Sequence, residues 1–239
     1  MNRPQTIQWI TALLLAGSVV LMGAALAVKL AHSRWLDVRR VEIAGDTRHI
    51  SRAAVRSALS GQLAGSYFTI RLDRARHAFE ALPWVAQVSV RRIWPDRLRV
   101  TLTEHRALGQ WNDGRLVSDT GVLFVANPAE AEADGALVSF SGPPQYAPEA
   151  VRNLRQFSAL LAPLQVRIVG LQVSDRASWS LTLEPRLQVE LGRDDPPGRL
   201  AQKLATIVTA YPVVIARLDG AATRIDARYE NGFAAARTQ

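Results

Sequence analysis

Hydrophobic and polar positions alternate most regularly between Leu82 and Arg106, in LPWVAQVSVRRIWPDRLRVTLTEHR. Trp84, Ala86, Val88 and Val90 fall on one side of a two-residue period, and Leu98, Val100 and Leu102 do so again after Trp94-Pro95-Asp96-Arg97. This predicts a β-hairpin with one buried face. Proline supplies the fixed φ of a turn and aspartate a short acceptor behind it. The opposite face is a row of arginines and threonines that needs water or a partner. Upstream, positions 38–45 (VRRVEIAG) read as a strand ending on glycine. Ser51 then caps a helix, with Ile50 and Val55 placed for a hydrophobic staple and Gly61 to close it. A second helix, from about Leu72 to Leu82, carries Leu72, Ala75, Phe79 and Leu82 on one stripe. The order strand, helix, helix, strand, strand over positions 37–106 makes a compact α+β unit with its helices on one face of a small sheet.

Beyond Arg106 short alternating runs dominate, and positions 107–233 are expected to form a mostly antiparallel β domain with flanking helices. Ala107–Trp111, Leu116–Val117 and Val122–Val125 are strands joined by turns at Asn112-Asp113-Gly114 and Asp119-Thr120-Gly121. The acidic stretch from Asn127 to Gly135 reads as a solvated loop. Helices are predicted over Ala147–Leu164 and Arg199–Tyr211, and a hairpin over Trp179–Leu191 turns at Glu184-Pro185-Arg186, with Trp179 in the core. The last periodic element, Thr223–Tyr229, reads as an edge strand, and positions 234–239 as a flexible tail.

The amino-terminal pattern differs from all of this. No residue from Pro4 to Val28 is charged, and the run from Trp9 is about the 20 residues a helix needs to cross a bilayer. Positions 9–30 are therefore expected to be a transmembrane helix after a short tail, 1–8, with Trp9, Lys29, His32, Arg34 and Trp35 as interfacial anchors. A cleaved signal peptide is the rival reading, since Ala25-Leu26-Ala27 has the small-x-small form, although the apolar run is too long for a signal core. Lys29, Arg34, Arg39 and Arg40 outweigh Arg3 and the amino terminus. Taken literally, that would keep the large domain cytoplasmic, a rule that long domains escape.

Composition adds a net charge of +8 and excludes cysteine chemistry, since Cys is 0. Candidate active-site patterns are lacking. His32, His49, His77 and His105 are scattered without metal-ligand spacing, Gly61 and Gly65 are not followed by a phosphate-loop lysine, and Asp194-Asp195 sits among prolines as a turn before a helix. No catalytic, metal or cofactor site is expected. Arg91, Arg92, Arg97 and Arg99 lack the aromatic-basic signature of an RNA binder, leaving either a solvated face or a docking surface for acidic segments.

VRRVEIAG at the start, LPW, the RxxWPDxLxVxLxE run and the following ALGQW together resemble the POTRA domain of the FtsQ/DivIB family of bacterial cell-division proteins, and SWSLTLEPRLQVELGR and RIDARYENG extend the resemblance over nearly the whole chain. The resemblance implies a non-enzymatic scaffold of the divisome, anchored in the inner membrane by one helix with the amino terminus cytoplasmic and the bulk periplasmic. Such a protein links early and late division proteins at the septum. It implies FtsB and, through it, FtsL as partners, other divisome proteins on the POTRA face, and pairing of the C-terminal strand with a segment of FtsB. The matching positions are Ala227, Arg228, Tyr229, Glu230, Asn231, Gly232 and Phe233, with Arg176 as a further candidate. Phe233 stands where many relatives carry a tryptophan, and either replaces it or leaves that contact absent. Tyr229 is the specificity residue or, on the rival reading, a core tyrosine beside Ile225 and Ala227. A POTRA module of outer-membrane assembly or protein transport would predict tandem repeats or a barrel, and a secreted hydrolase would predict cleavage after Ala27.

Overall fold

The computed structural model describes residues 3–31, 38, 40–45, 47–59, 70–218, 222–230 and 232–237. Asp37, His32, Arg34, Trp35, Arg39, Gly61, Gly65 and Asn231, named above, lie outside the described residues, as does the first position of the 37–106 domain. Two compact units result, Met1–Glu104 and His105–Gln239.

The first unit opens with α1, Arg3–Ala31. Among the described residues no helix is long and apolar enough to cross a membrane. Positions 9–30, expected as a transmembrane helix, fall within α1 and are not shown to span a membrane. The rest of the unit is β1 (Arg40–Gly45), α2 (Arg52–Leu59), α3 (Leu72–Glu80), β2 (Val85–Ile93) and β3 (Arg97–Glu104), the order expected from the alternation. The sheet order is β1-β3-β2, with β1 parallel and β2 antiparallel to the central β3. Leu98, Val100 and Leu102 alternate inward along β3 and are buried with Val55, Ile70, Ala75 and Phe79. On β2 the predicted alternation breaks. A bulge between Val85 and Gln87 buries both Trp84 and Val85 and turns Ala86 outward, because the extra residue shifts the pleat by one.

Ser51 does cap α2, its Oγ accepting the Ala54 N–H at 3.0 Å, and Ile50 and Val55 are both buried. The turn before it is held from the far end of the sheet. The Glu104 carboxylate accepts the backbone N–H groups of His49 at 3.1 Å and Ile50 at 3.0 Å and lies 3.1 Å from His49 Nδ1, while the His49 ring stacks on Trp84 at 3.9 Å. On the outer face Glu42 sits between Arg97 at 3.1 Å and Arg99 at 3.2 Å. Hydrogen bonds from Arg99 first and then Arg97 hold the Glu42 carboxyl below the usual glutamate range. Part of the predicted arginine row is thus paired within the sheet.

The second unit contains β4 (Ala107–Trp111), β5 (Leu116–Ser118), β6 (Leu123–Phe124), α4 (Pro128–Asp134), β7 (Val138–Ser141), α5 (Ala147–Leu161), β8 (Ile168–Val173), β9 (Ser178–Leu183), β10 (Leu187–Arg193), α6 (Arg199–Leu218), β11 (Arg224–Asp226) and β12 (Ala234–Ala236). Among the described residues these strands form a nine-stranded sheet in the order β12-β11-β10-β9-β8-β7-β4-β5-β6. Pairing is antiparallel except for β4 with β7, β7 with β8 and β10 with β11. Trp111, Phe140, Phe157, Leu161, Trp179, Leu181, Leu200 and Leu204 join one core in which the apolar stripes of α5 and α6 meet the sheet.

Three local expectations change. Positions 128–134, expected as a loop, form α4 because Asn127 Oδ1 accepts the Ala129 N–H at 3.1 Å and Ala131 is buried. The helix expected to stop at Tyr211 continues through Pro212 to Leu218, since the proline lies on the exposed side while Leu218 packs against the core. Ala234–Ala236, expected in a flexible tail, pair antiparallel with β11 as β12. The edge of the sheet is therefore one strand further on than the predicted Thr223–Tyr229.

Candidate functional site

One end of the second sheet gathers most of the residues singled out in the C-terminal segment. The ladder starts with β10, where the register slips between Glu190 and Gly192. Gly192 takes φ +83, a left-handed value that favours glycine. Lys203, reaching from the first half of α6, donates to the Leu191 carbonyl at 2.9 Å. Burial, and then the nearby Arg199 charge, press the Lys203 ammonium below its usual range, while Asp226 and Glu230 pull the other way.

Parallel to β10, β11 runs in the register Val189 with Ile225 and Glu190 with Asp226, and the Ala227 N–H donates to the Glu190 carbonyl at 2.7 Å. Ile225 and Ala227 point into the core. Arg228 turns back on Asp226, with its backbone N–H at 3.1 Å and Nε at 2.9 Å from Oδ1 and a guanidinium nitrogen 2.6 Å from Oδ2. These hydrogen bonds hold the Asp226 carboxyl below the ordinary aspartate range and raise the guanidinium further. Tyr229 is 61 % exposed, which excludes the core-tyrosine alternative. The Glu230 carbonyl accepts from Arg199 at 3.1 Å. Phe233 is half-buried against the core and leads into β12, whose pairs with β11 are Asp226 with Ala234 and Arg224 with Ala236.

Between α6 and this segment lies a groove of ≈ 290 Å³, lined by Arg199, Gln202, Lys203, Thr206, Ala227, Tyr229, Glu230, Gly232 and Phe233. The four α6 residues were not among the sequence candidates. They occupy the polar side of an amphipathic helix, and only the docking of α6 over β10 brings them beside the last strands. Arg176 is exposed in the turn between β8 and β9, outside the groove lining. The start of β9 pairs with the end of β10, Ser178 with Arg193, so that turn is at the same end of the sheet as Arg228. Asp194, in the turn before α6, caps that helix by accepting the Leu200 N–H at 3.1 Å. Among the described residues no group of His, Asp and Glu side chains is placed to hold a metal ion.

Strand, helix, helix, strand, strand with β1 parallel to β3 is the plan of a POTRA domain, so the class is a POTRA-bearing protein with a second, sheet-rich domain. Residues 36–105 match the family described as POTRA domain, FtsQ-type, and residues 109–228 match Cell division protein FtsQ/DivIB, C-terminal. Cell division protein FtsQ of Burkholderia pseudomallei is 43% identical over 197 residues, 82% of this chain and 78% of that protein. Cell division protein FtsQ of Bordetella pertussis is 35% identical over 98% of this chain and 92% of its own length, and that of Nitrosospira multiformis 35% over 87% and 86%. The chain belongs to the FtsQ/DivIB family of cell division proteins.

Proposed function

We propose that the protein is a non-enzymatic scaffold of the division septum that takes a partner strand along the outer edge of β12. The observation that carries this reading is the terminal strand itself. Among the described residues the sheet ends at three alanines, beside an exposed tyrosine and a groove. Isolated edges are usually guarded by charge, proline or a covering element. An alanine edge lets a second backbone approach closely, while a neighbouring pocket reads alternate side chains of the incoming strand. Tyr229 supplies apolar area at the mouth of the groove. Arg228, already oriented by Asp226, is placed to meet a carboxylate of the partner.

The partner in this reading is a segment of FtsB, with FtsL joined through it and other divisome proteins on the POTRA face. The site residues are Ala227, Arg228, Tyr229, Glu230, Asn231, Gly232 and Phe233, with Arg176 at the periphery, and β12 is the strand extended. The anchor is α1. Its 29 residues rise about 43 Å, and Leu13, Leu14, Leu15, Val19, Val20, Leu21, Met22 and Leu26 are exposed around one polar side chain, Ser18, whose hydroxyl donates to the Leu14 carbonyl at 2.8 Å, as in a helix solvated by lipid. In this reading positions 9–30 of α1 span the membrane, the tail 1–8 is cytoplasmic, and the β1–β3 domain and the second unit are periplasmic.

A pull-down of the full chain with an FtsB segment tests the site. Tyr229→Ala abolishes capture, Arg91→Ala preserves it, and bound partner slows amide exchange at positions 234–236. Equal capture by both variants, or unchanged exchange in β12, overturns the assignment. A topology reporter fused after Gln239 tests the side of the membrane independently.

A further inference from the structure

The hairpin of the first unit carries a feature that strand docking does not use. Trp94 is 73 % exposed in the turn between β2 and β3, whereas Trp84, Trp111 and Trp179 are buried. Because β1 runs parallel to β3 with Arg40 opposite Arg97, the first residue of β1 lies beside that turn, and the Arg40 N–H donates to the Asp96 carbonyl at 3.4 Å. From Ala31 at the end of α1 to Arg40 the chain takes nine Cα steps, a reach of about 30 Å at most. With α1 in a bilayer, the end of the sheet that presents Trp94 is the end tied closest to the membrane surface.

The charge there is predominantly positive. On the open face Arg99 lies between Glu42 and Arg91 in register, and Arg40 pairs with Arg97 one row nearer the turn. Arg92 leaves by the other face to donate to the Ile70 carbonyl at 2.8 Å. Five guanidinium groups thus stand near the turn with two carboxylates, Glu42 and Asp96, and Glu42 is shared by Arg97 and Arg99. Tryptophan is the side chain that settles at the headgroup level, with its ring among acyl carbons and its N–H toward water, and arginine pairs with lipid phosphate.

We infer that the Trp94 hairpin tip is a second, peripheral membrane contact, with Trp94 at the interface and Arg40, Arg91 and Arg97 against anionic phospholipid headgroups. This rests on the reading of α1 as a membrane anchor. The contact sets the POTRA sheet in a defined orientation above the bilayer, using a turn that the fold leaves uncovered.

The chain contains no cysteine, so single-cysteine labelling of the full protein in lipid nanodiscs tests the idea directly. One environment-sensitive fluorophore is placed at Asp96→Cys beside the tip, and another, in a separate sample, at Val19→Cys in the middle of α1. Discs contain phosphatidylcholine alone or with phosphatidylglycerol, and carry spin-labelled lipid as quencher. Val19 is expected to be quenched by deep spin labels, and position 96 by shallow ones, more strongly with phosphatidylglycerol. Trp94→Ala returns the position-96 emission to its wavelength in water, and Arg40→Gln with Arg91→Gln removes the lipid-charge dependence. Quenching at Val19 with position 96 fully aqueous leaves the anchor standing and overturns the hairpin contact, the tip then facing water or a protein. An unquenched Val19 overturns the anchor and the inference with it.

Discussion

Replacing Glu104 by alanine isolates the device that joins the end of β3 to the start of α2. Its side chain is 8 % exposed and accepts the backbone N–H groups of His49 and Ile50 at 3.1 and 3.0 Å. Truncation strands both donors, each at about 1–3 kcal/mol when buried and unpaired. Water can reach a half-buried turn, so the lower part of the range applies and the loss is about 3 kcal/mol for the pair. That is roughly a 150-fold change in the opening equilibrium. The measurement is native-state hydrogen exchange at His49 and Ile50, which reports local opening. Glu104→Ala should lower protection there by about two orders of magnitude and release the His49–Trp84 stack. Glu104→Gln keeps one acceptor oxygen and should cost only about 1 kcal/mol. If both variants exchange within about threefold of the parent, the carboxylate is not what holds the turn.

Leu204, fully buried on α6, should cost about 2–5 kcal/mol as alanine, read from denaturant unfolding of the second unit. Tyr229→Ala leaves stability within about 0.5 kcal/mol, and it weakens partner binding about 30-fold or more by calorimetry, the loss expected of a hot-spot aromatic. Gly192→Ala meets Arg228 Cγ only at 3.5 Å, so the cost comes from φ +83 rather than from crowding, about 1–2 kcal/mol. For Asp226 the folded carboxyl titrates below the unfolded one, so its pairing with Arg228 stabilises the fold above the ordinary aspartate range. That contribution is lost as pH falls through the lower folded value. Carbon-detected NMR of Arg228→Ala should show the Asp226 titration moving back up.

Much of the architecture was legible as periodicity. The βααββ order, the hairpin around Trp94-Pro95, the buried Trp179 and the stripes of α5 and α6 follow from spacings of two and of about 3.6 along the chain, which need only local geometry. The candidate segment was legible too, as RIDARYENG, but its neighbours were not. Arg199, Gln202, Lys203 and Thr206 are an ordinary polar helix face until α6 lies across β10. Glu104 reads as the last polar position of a strand, and its binding of a turn 55 residues earlier has no sequence periodicity to reveal it.

By itself the sequence determined which residues alternate, which faces are apolar, where turns fall and which family the motifs resemble. Only the tertiary structure decided that β12 covers β11, so that the open edge is the alanine strand and not Thr223–Tyr229. Strand pairing is a contact between distant segments, and Ala234–Ala236 carry no intrinsic strand signal. The same holds for the β2–β3 hairpin. Its alternation was local, while the place of Trp94 beside the first residue of β1 came from the parallel register of β1 with β3.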